Sequence, residues 1–178
     1  MGIQVENGVV APGISIPPIR LPRHPPFKIV VDTREKRPFE FSSGTFTVTR
    51  TLDTGDYSVD GLERYIRIER KSFDDLWNCI GTRREDFKKQ LDRLRCYPLH
   101  GLLVETNKNS ILLGNPRSKL PGDQALLFLL DLTSKYAIVP LFCGTHGAQV
   151  CQMLLARWAQ RMWEAIETLK MEGGAKYV

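Results

Sequence analysis

Apolar and polar residues fall into a regular pattern from Phe27 onward. There "FKIVVD" reads as a buried strand, "TFTVTR" as a second strand of period two, and "ERYIRIERK" as a third. Three strands so close together predict an antiparallel meander. After Lys71 the period lengthens: Phe73, Leu76, Trp77 and Ile80, then Phe87, Leu91 and Leu94, recur every three or four residues and predict two helices, the first short. "GLLVE" is a further strand, "LPGDQALLFLLDLTSKY" a mostly buried helix, and "AIVPLFCG" a last strand. Val150, Leu154, Trp158, Met162, Ile166 and Leu169 then mark one face of a long helix ending at Gly173 and Gly174. A meander followed by strands that alternate with helices predicts an α/β fold with a central mixed β-sheet flanked by helices.

Length and composition narrow the class. A chain of 178 residues builds one domain with a proper core. Residues 1–26 follow neither period and hold six of the eleven prolines, which sets them apart as a proline-rich arm before a domain at 27–178. Apolar runs such as "ALLFLL" fall far short of the ~20 residues that span a bilayer. The first residues lack the basic-then-apolar pattern of a secretory signal, so the chain is expected inside the cell, in cytoplasm or nucleoid, or in a nucleus if eukaryotic. Cys79, Cys96, Cys143 and Cys151 form no Cys-x-x-Cys pair and read as buried free thiols. No Gly-rich phosphate loop is present, which argues against nucleotide hydrolysis. A net charge of +5 is compatible with a polyanionic partner without requiring one.

The distribution of acids is more telling. Side chains alternate along the third strand, so Glu69 and Lys71 share a face about 7 Å apart, while Arg70 points the other way. The first strand ends in Asp32, followed by Arg34 and Glu35. "LDTGDY" leads to Asp56, where Gly55 permits a tight turn, and Asp75 lies four residues beyond Lys71. Each acid alone could be a surface residue or helix cap. Three acids at strand ends and a lysine, converging on one sheet edge, could hold Mg²⁺, which takes one or two carboxylates and completes its shell with water and phosphate. Such a site suits phosphodiester hydrolysis.

"VVDTRE", "GDY" and "IERKSFDD" together resemble the nuclease domain of the XPF/Rad1 class of structure-specific endonucleases, over about residues 27–170. The hallmark of that class falls here on Ile68, Glu69, Arg70, Lys71 and Asp75. The resemblance implies a restriction-endonuclease-like core and a metal-dependent DNA endonuclease acting on branched or flapped DNA in repair, recombination or replication. It implies Asp56 and Glu69 as the principal ligands of Mg²⁺, with Mn²⁺ able to substitute, and Lys71 as the catalytic lysine. Asp32 and Asp75 would be supporting acids, Asp32 also at the metal, and Arg70 would complete the motif, with Glu35 beside it. The class places an arginine after a glycine in the next segment, a role that either Arg83 or Arg84 could take in "GTRRED". It also implies a homodimer or heterodimer through the C-terminal half, and a separate partner could target the DNA.

The helix "TRREDFKKQLDRLRCY" sets Arg83, Arg84, Lys88 and Lys89 around an apolar stripe, and with Arg34 these are the expected phosphate contacts. "NKNSILLGNPRSKLPG", rich in turn-forming and basic residues, is a candidate second substrate loop. Two other activities fit the same core: a catalytically silent DNA-binding scaffold and a four-way-junction resolvase. Both acids and the lysine are present, which favours the active nuclease.

Overall fold

A computed structural model describes residues 27–174, with side chains to residue 169; the proline-rich arm expected at 1–26 lies outside the described residues. Among the described residues six strands form one sheet: β1 (Lys28–Asp32), β2 (Phe46–Arg50), β3 (Tyr57–Val59), β4 (Ile66–Ser72), β5 (Leu99–Glu105) and β6 (Pro140–Phe142), in the order β2-β1-β3-β4-β5-β6. Five α-helices accompany them: α1 (Phe73–Ile80), α2 (Arg84–Leu94), α3 (Lys108–Leu113), α4 (Gly122–Tyr136) and α5 (Gly147–Gly174), with a short 3-10 turn at Gly144–His146 before α5. The sheet is mixed and flanked by helices, as the periodicity predicts.

The predicted meander is not what forms. β1 and β2 run parallel, with Val30 opposite Val48, and β2 sits at the sheet edge. The antiparallel partner of β1 is β3, which also pairs antiparallel with β4. β3 is only three residues long, all buried, and three residues are too few to display a period. β5 then joins β4 in parallel, and β6 joins β5. Of these six strands β3 alone runs in the opposite direction, so its first residues meet the last residues of β1, β4 and β5 at one edge.

Alternation sorts the strands' side chains onto two faces. Ile29, Val31, Tyr57, Ile66, Ile68 and Leu103 pack beneath α5, against Cys151, Leu155 and Ala159. Leu102 and Val104 face the other way, onto Leu76 and Ile80 of α1, Phe87 and Leu91 of α2, and Leu129 of α4. Each fully buried Leu or Ile contributes about 1.5–3 kcal/mol. Gly101 has no side chain where the ring of Trp158 presses in, so α5 lies close on β5.

Ser72 ends β4 and starts α1: its Oγ accepts the Asp75 backbone N–H at 3.2 Å and donates to the Asp75 carboxylate at 2.7 Å. α3 lies within the segment 107–122 that reads as loop in the sequence, and at six residues it is too short to show a face. α4 crosses it closely; a Cβ on Gly122 would stand 2.2 Å from the Leu112 carbonyl oxygen. α4 is less buried than its composition predicts, since Leu127 and Leu130 are exposed on its outer side. Cys79, Cys143 and Cys151 are buried free thiols as expected, whereas Cys96 is exposed. No helix among the described residues is long and apolar enough to cross a membrane.

Candidate active site

Asp56 stands at the entry to β3, immediately after a turn that only glycine makes easily. Gly55 has a φ of +75°, and a Cβ there would sit 3.0 Å from the Ile68 carbonyl oxygen. The close approach lets the Asp56 N–H donate to that oxygen at 2.7 Å, while the Asp56 carbonyl accepts from the Asp32 N–H at 2.9 Å. Its carboxylate accepts the backbone N–H of Arg70 at 2.7 Å. Asp56 is therefore tied to both β1 and β4, beside Glu69.

Glu69 and Lys71 project from one face of β4 as alternation requires. The Lys71 ammonium donates to Oε1 of Glu69, whereas Oε2 is buried with no hydrogen-bond partner among the described residues. Glu69 is 1% exposed. Burial and the neighbouring Glu69 charge push the Asp56 carboxyl up to about 7. Burial works against the charged Lys71, yet the Glu69 charge, the hydrogen bond to Glu69 and the nearby Cys79 and Asp56 together outweigh it and hold the ammonium above its ordinary value. A carboxyl raised by burial and a neighbouring negative charge, beside a fixed cation, is an arrangement that could take a divalent cation in place of the proton.

Whether these residues fit Mg²⁺ turns on the number and freedom of their oxygens. Among the described residues no three His, Cys, Asp or Glu side chains converge as a ready-made metal group. Asp56 and Glu69 are near enough for the charge of one to raise the other, and one or two carboxylates are what Mg²⁺ ordinarily uses. The unpartnered Oε2 of Glu69 is the donor such an ion would engage.

Asp32 carries a full set of protein donors. Its Oδ1 accepts the Arg34 Nε at 2.7 Å and the Arg34 backbone N–H at 2.9 Å, and its Oδ2 accepts the Leu52 N–H at 2.6 Å. Burial alone would raise its carboxyl, but the hydrogen bonds from Arg34 and Leu52 prevail and hold it below the usual range. In this arrangement Asp32 anchors Arg34 and the segment after β2, and the charges of Asp56 and Glu69 act on the same Arg34. Asp75, in the first turn of α1, accepts from the hydroxyl of Ser72, the residue that caps the helix.

Arg70 lies on the opposite face. Its guanidinium bonds Glu105 at 3.0 Å, reaches Glu35 at 3.7 Å, donates to the Arg37 carbonyl, and lies 4.1 Å from the centre of the Phe39 ring. Phe39 in turn stacks on Tyr57. Arg70 thus fastens the 35–39 segment under the sheet edge, while its backbone N–H holds Asp56 above it.

The two arginines after Gly81 part company. Arg84 lies 4.6 Å from the centre of the Phe128 ring, toward α4. Arg83, exposed at the start of α2, acts with Lys71 on the buried Cys79 thiol, which burial raises and these two cations lower. Lys88 pairs with Glu85 at 2.7 Å on the helix surface, and Lys89 is exposed.

With this arrangement established, the family follows from one match: the ERCC4 domain profile covers residues 31–139, more than half of the chain. The chain belongs to the ERCC4 domain family. Among solved structures it is similar to XPF from Aeropyrum pernix, with a TM-score of 0.59 and 20% identity over 85% of this chain and 75% of that one. It is also similar to XPF from Aeropyrum pernix in complex with DNA, with a TM-score of 0.59 and 22% identity over 76% of this chain and 66% of that one. No curated protein matches it. The mixed sheet of this ERCC4 domain is the restriction-endonuclease-like fold that the motif resemblance implies.

Sequence reasoning overlooked two supports of the ERCC4 site. Arg67, 4% exposed, lies on the same face of β4 as Glu69, bonds Asp53 at 3.0 Å, and has its guanidinium 4.6 Å from the Tyr97 ring centre. Tyr97 donates to the same Asp53 carboxylate. This clasp spans the loop that delivers Gly55 and Asp56, and a lone arginine between two strand isoleucines was its signal. Glu105 is the other, an acid at the end of β5 placed as Asp32 is at the end of β1.

Proposed function

We propose that this domain is a metal-dependent endonuclease that hydrolyses phosphodiester bonds in DNA, in branched or flapped substrates, during repair, recombination or replication. One observation carries the reading: Glu69 keeps a buried, unpartnered carboxylate oxygen beside Asp56, with Lys71 bonded to the other oxygen. Asp56 and Glu69 would hold Mg²⁺, with Mn²⁺ as a substitute. When bound, the metal supplies a polarised phosphoryl oxygen and a more acidic water.

The chain's own residues do the rest. Lys71 sits on Glu69, positioned to orient an attacking water or to offset charge that grows on the phosphate. The Arg70 N–H and the Gly55 turn fix where Asp56 points, and Asp32 fixes Arg34, whose side chain is 63% exposed and can meet a phosphate. Arg83, Arg84, Lys88 and Lys89 at the start of α2 extend the positive surface beside the site. DNA binding draws support from the relative of like fold whose structure contains DNA.

We place the protein inside the cell and expect it to act as a homodimer or heterodimer through its C-terminal half, where Leu127 and Leu130 of α4 and Ile166 and Leu169 of α5 are exposed. A panel of labelled single strands, duplexes, flaps, forks and four-way junctions, incubated with Mg²⁺ or Mn²⁺, tests the reading. Cutting by the folded protein that disappears in Glu69→Gln supports it, and no cutting of any substrate sinks it. Equal cutting of plain duplex removes the branched-DNA part alone.

A further inference from the structure

α1 and the α3–α4 connection enclose a cleft of about 600 Å³ that the cutting site does not use. Its polar lining includes Asp74, Asn78, Asn115, Arg117 and Lys119, and Trp77 and Leu120 form an apolar wall. The segment Asn115–Leu120 is shaped by its own hydrogen bonds: Asn115 Oδ1 accepts the Arg117 N–H at 2.9 Å, and Ser118 Oγ accepts the Leu120 N–H at 3.2 Å. That leaves the Asn115 amide N–H groups and the Asn78 side-chain amide unengaged among the described residues. Arg117 and Lys119 likewise form no ion pair with a described residue. At the inner wall Trp77 is 3% exposed, and its indole N–H is buried without a partner among the described residues.

We propose that this cleft is a binding site for one unpaired nucleotide of the DNA substrate. The inference rests on the nuclease reading for its choice of ligand. Two unpaired cations on a loop supply a place for a phosphate. Amides that both donate and accept, with the Asp74 carboxylate as acceptor, match the mixed edge of a nucleobase. The apolar wall suits the base itself, and a cleft of this size is in the range of small-ligand sites. Asp74 also borders a second polar cleft at the end of β4, lined by Arg34, Lys36, Arg37 and Arg70 together with Glu35, Asp75 and Glu105. A paired duplex cannot place a base there without opening, so the cleft would discriminate DNA that already carries an unpaired arm.

The test compares wild type, Asn78→Ala and the double variant Arg117→Ala/Lys119→Ala in metal-free buffer, all at surface positions. Each is titrated onto a blunt duplex and onto a fork whose unpaired arm carries a fluorescent 2-aminopurine. The double variant should lose about tenfold in affinity for the fork and about twofold or less for the duplex. Wild type should change the 2-aminopurine emission on binding, and the variants should not. Equal losses on both DNAs, an unchanged fluorescence response in the variants, or no binding of the fork by wild type would each overturn the proposal. Wild type that binds the fork with the expected selectivity but never cuts with Mg²⁺ would sink the nuclease reading and leave the nucleotide site standing.

Discussion

Lys71 and Glu69, two residues apart on one face of β4, are joined by a hydrogen bond from the ammonium to Oε1, while Oε2 is buried and unpartnered among the described residues. The pair is nearly solvent-free, with side-chain exposures of 12% and 1%. Removing either member has different consequences for chemistry and for folding. Glu69→Gln keeps an oxygen for Lys71 but loses the charge that would hold a metal, so cutting should fall by at least about 100-fold. DNA affinity should stay within about threefold, because phosphate contacts elsewhere supply it. Lys71→Ala should cut as poorly and also lose about 3 kcal/mol of stability, since it strands a buried carboxylate. Cleavage rates beside urea unfolding check both outcomes.

Asp56 imposes a pH dependence of definite sign. Its folded carboxyl is pushed up to about 7 from an ordinary value near 4, so between those values the folded chain holds a proton that the unfolded chain releases. Without metal, the Asp56 contribution to stability therefore declines as pH rises from about 4 to about 7 and then levels off. Asp56→Asn should flatten that slope. A metal must displace the same proton, so Mn²⁺ affinity should climb about tenfold per pH unit below 7 and plateau above it. Thermal unfolding and calorimetric Mn²⁺ titration measure the two effects.

Gly55→Ala tests whether the turn places Asp56. At φ +75° an added Cβ is strained, and at 3.0 Å from the Ile68 carbonyl oxygen it pushes on the hydrogen bond that seats Asp56. A loss of about 1–3 kcal/mol is expected. Mn²⁺ affinity should fall with it, whereas Gly61→Ala, also at positive φ but with open space around it, should weaken stability alone.

Arg70→Lys should behave almost as badly as Arg70→Ala. The planar guanidinium bonds Glu105, reaches Glu35 and lies over Phe39, and an ammonium cannot reproduce that set. Each variant should lose about 2–4 kcal/mol. A double-mutant cycle with Glu105→Gln should give a coupling of about 1–3 kcal/mol.

Neutralising Arg83 and Lys89 together should lower DNA affinity alike for all sequences. The salt dependence of binding should become shallower by about 0.9 for each phosphate that these side chains neutralise in wild type. An unchanged slope across 50–200 mM salt (roughly the range over which such charges register) would take α2 away from the DNA.

Local pattern was enough for much of this. The two-residue repeat of β4 and the three- and four-residue repeats of α1, α2 and α5 follow from backbone geometry, and so does the shared face of Glu69 and Lys71. The Glu-Arg-Lys and Asp spacing pointed to the family before any tertiary neighbour was visible. What tertiary structure decided was which neighbours those elements take. β3 is too short to announce itself, yet its insertion between β1 and β4 replaces the expected meander and carries Asp56 to Glu69. Strand pairing is chosen by burial over distances that no local window reports, and the same holds for oxygens: Asp32 and Asp56 look alike in the sequence, but Arg34 and Leu52 occupy one while burial beside Glu69 perturbs the other.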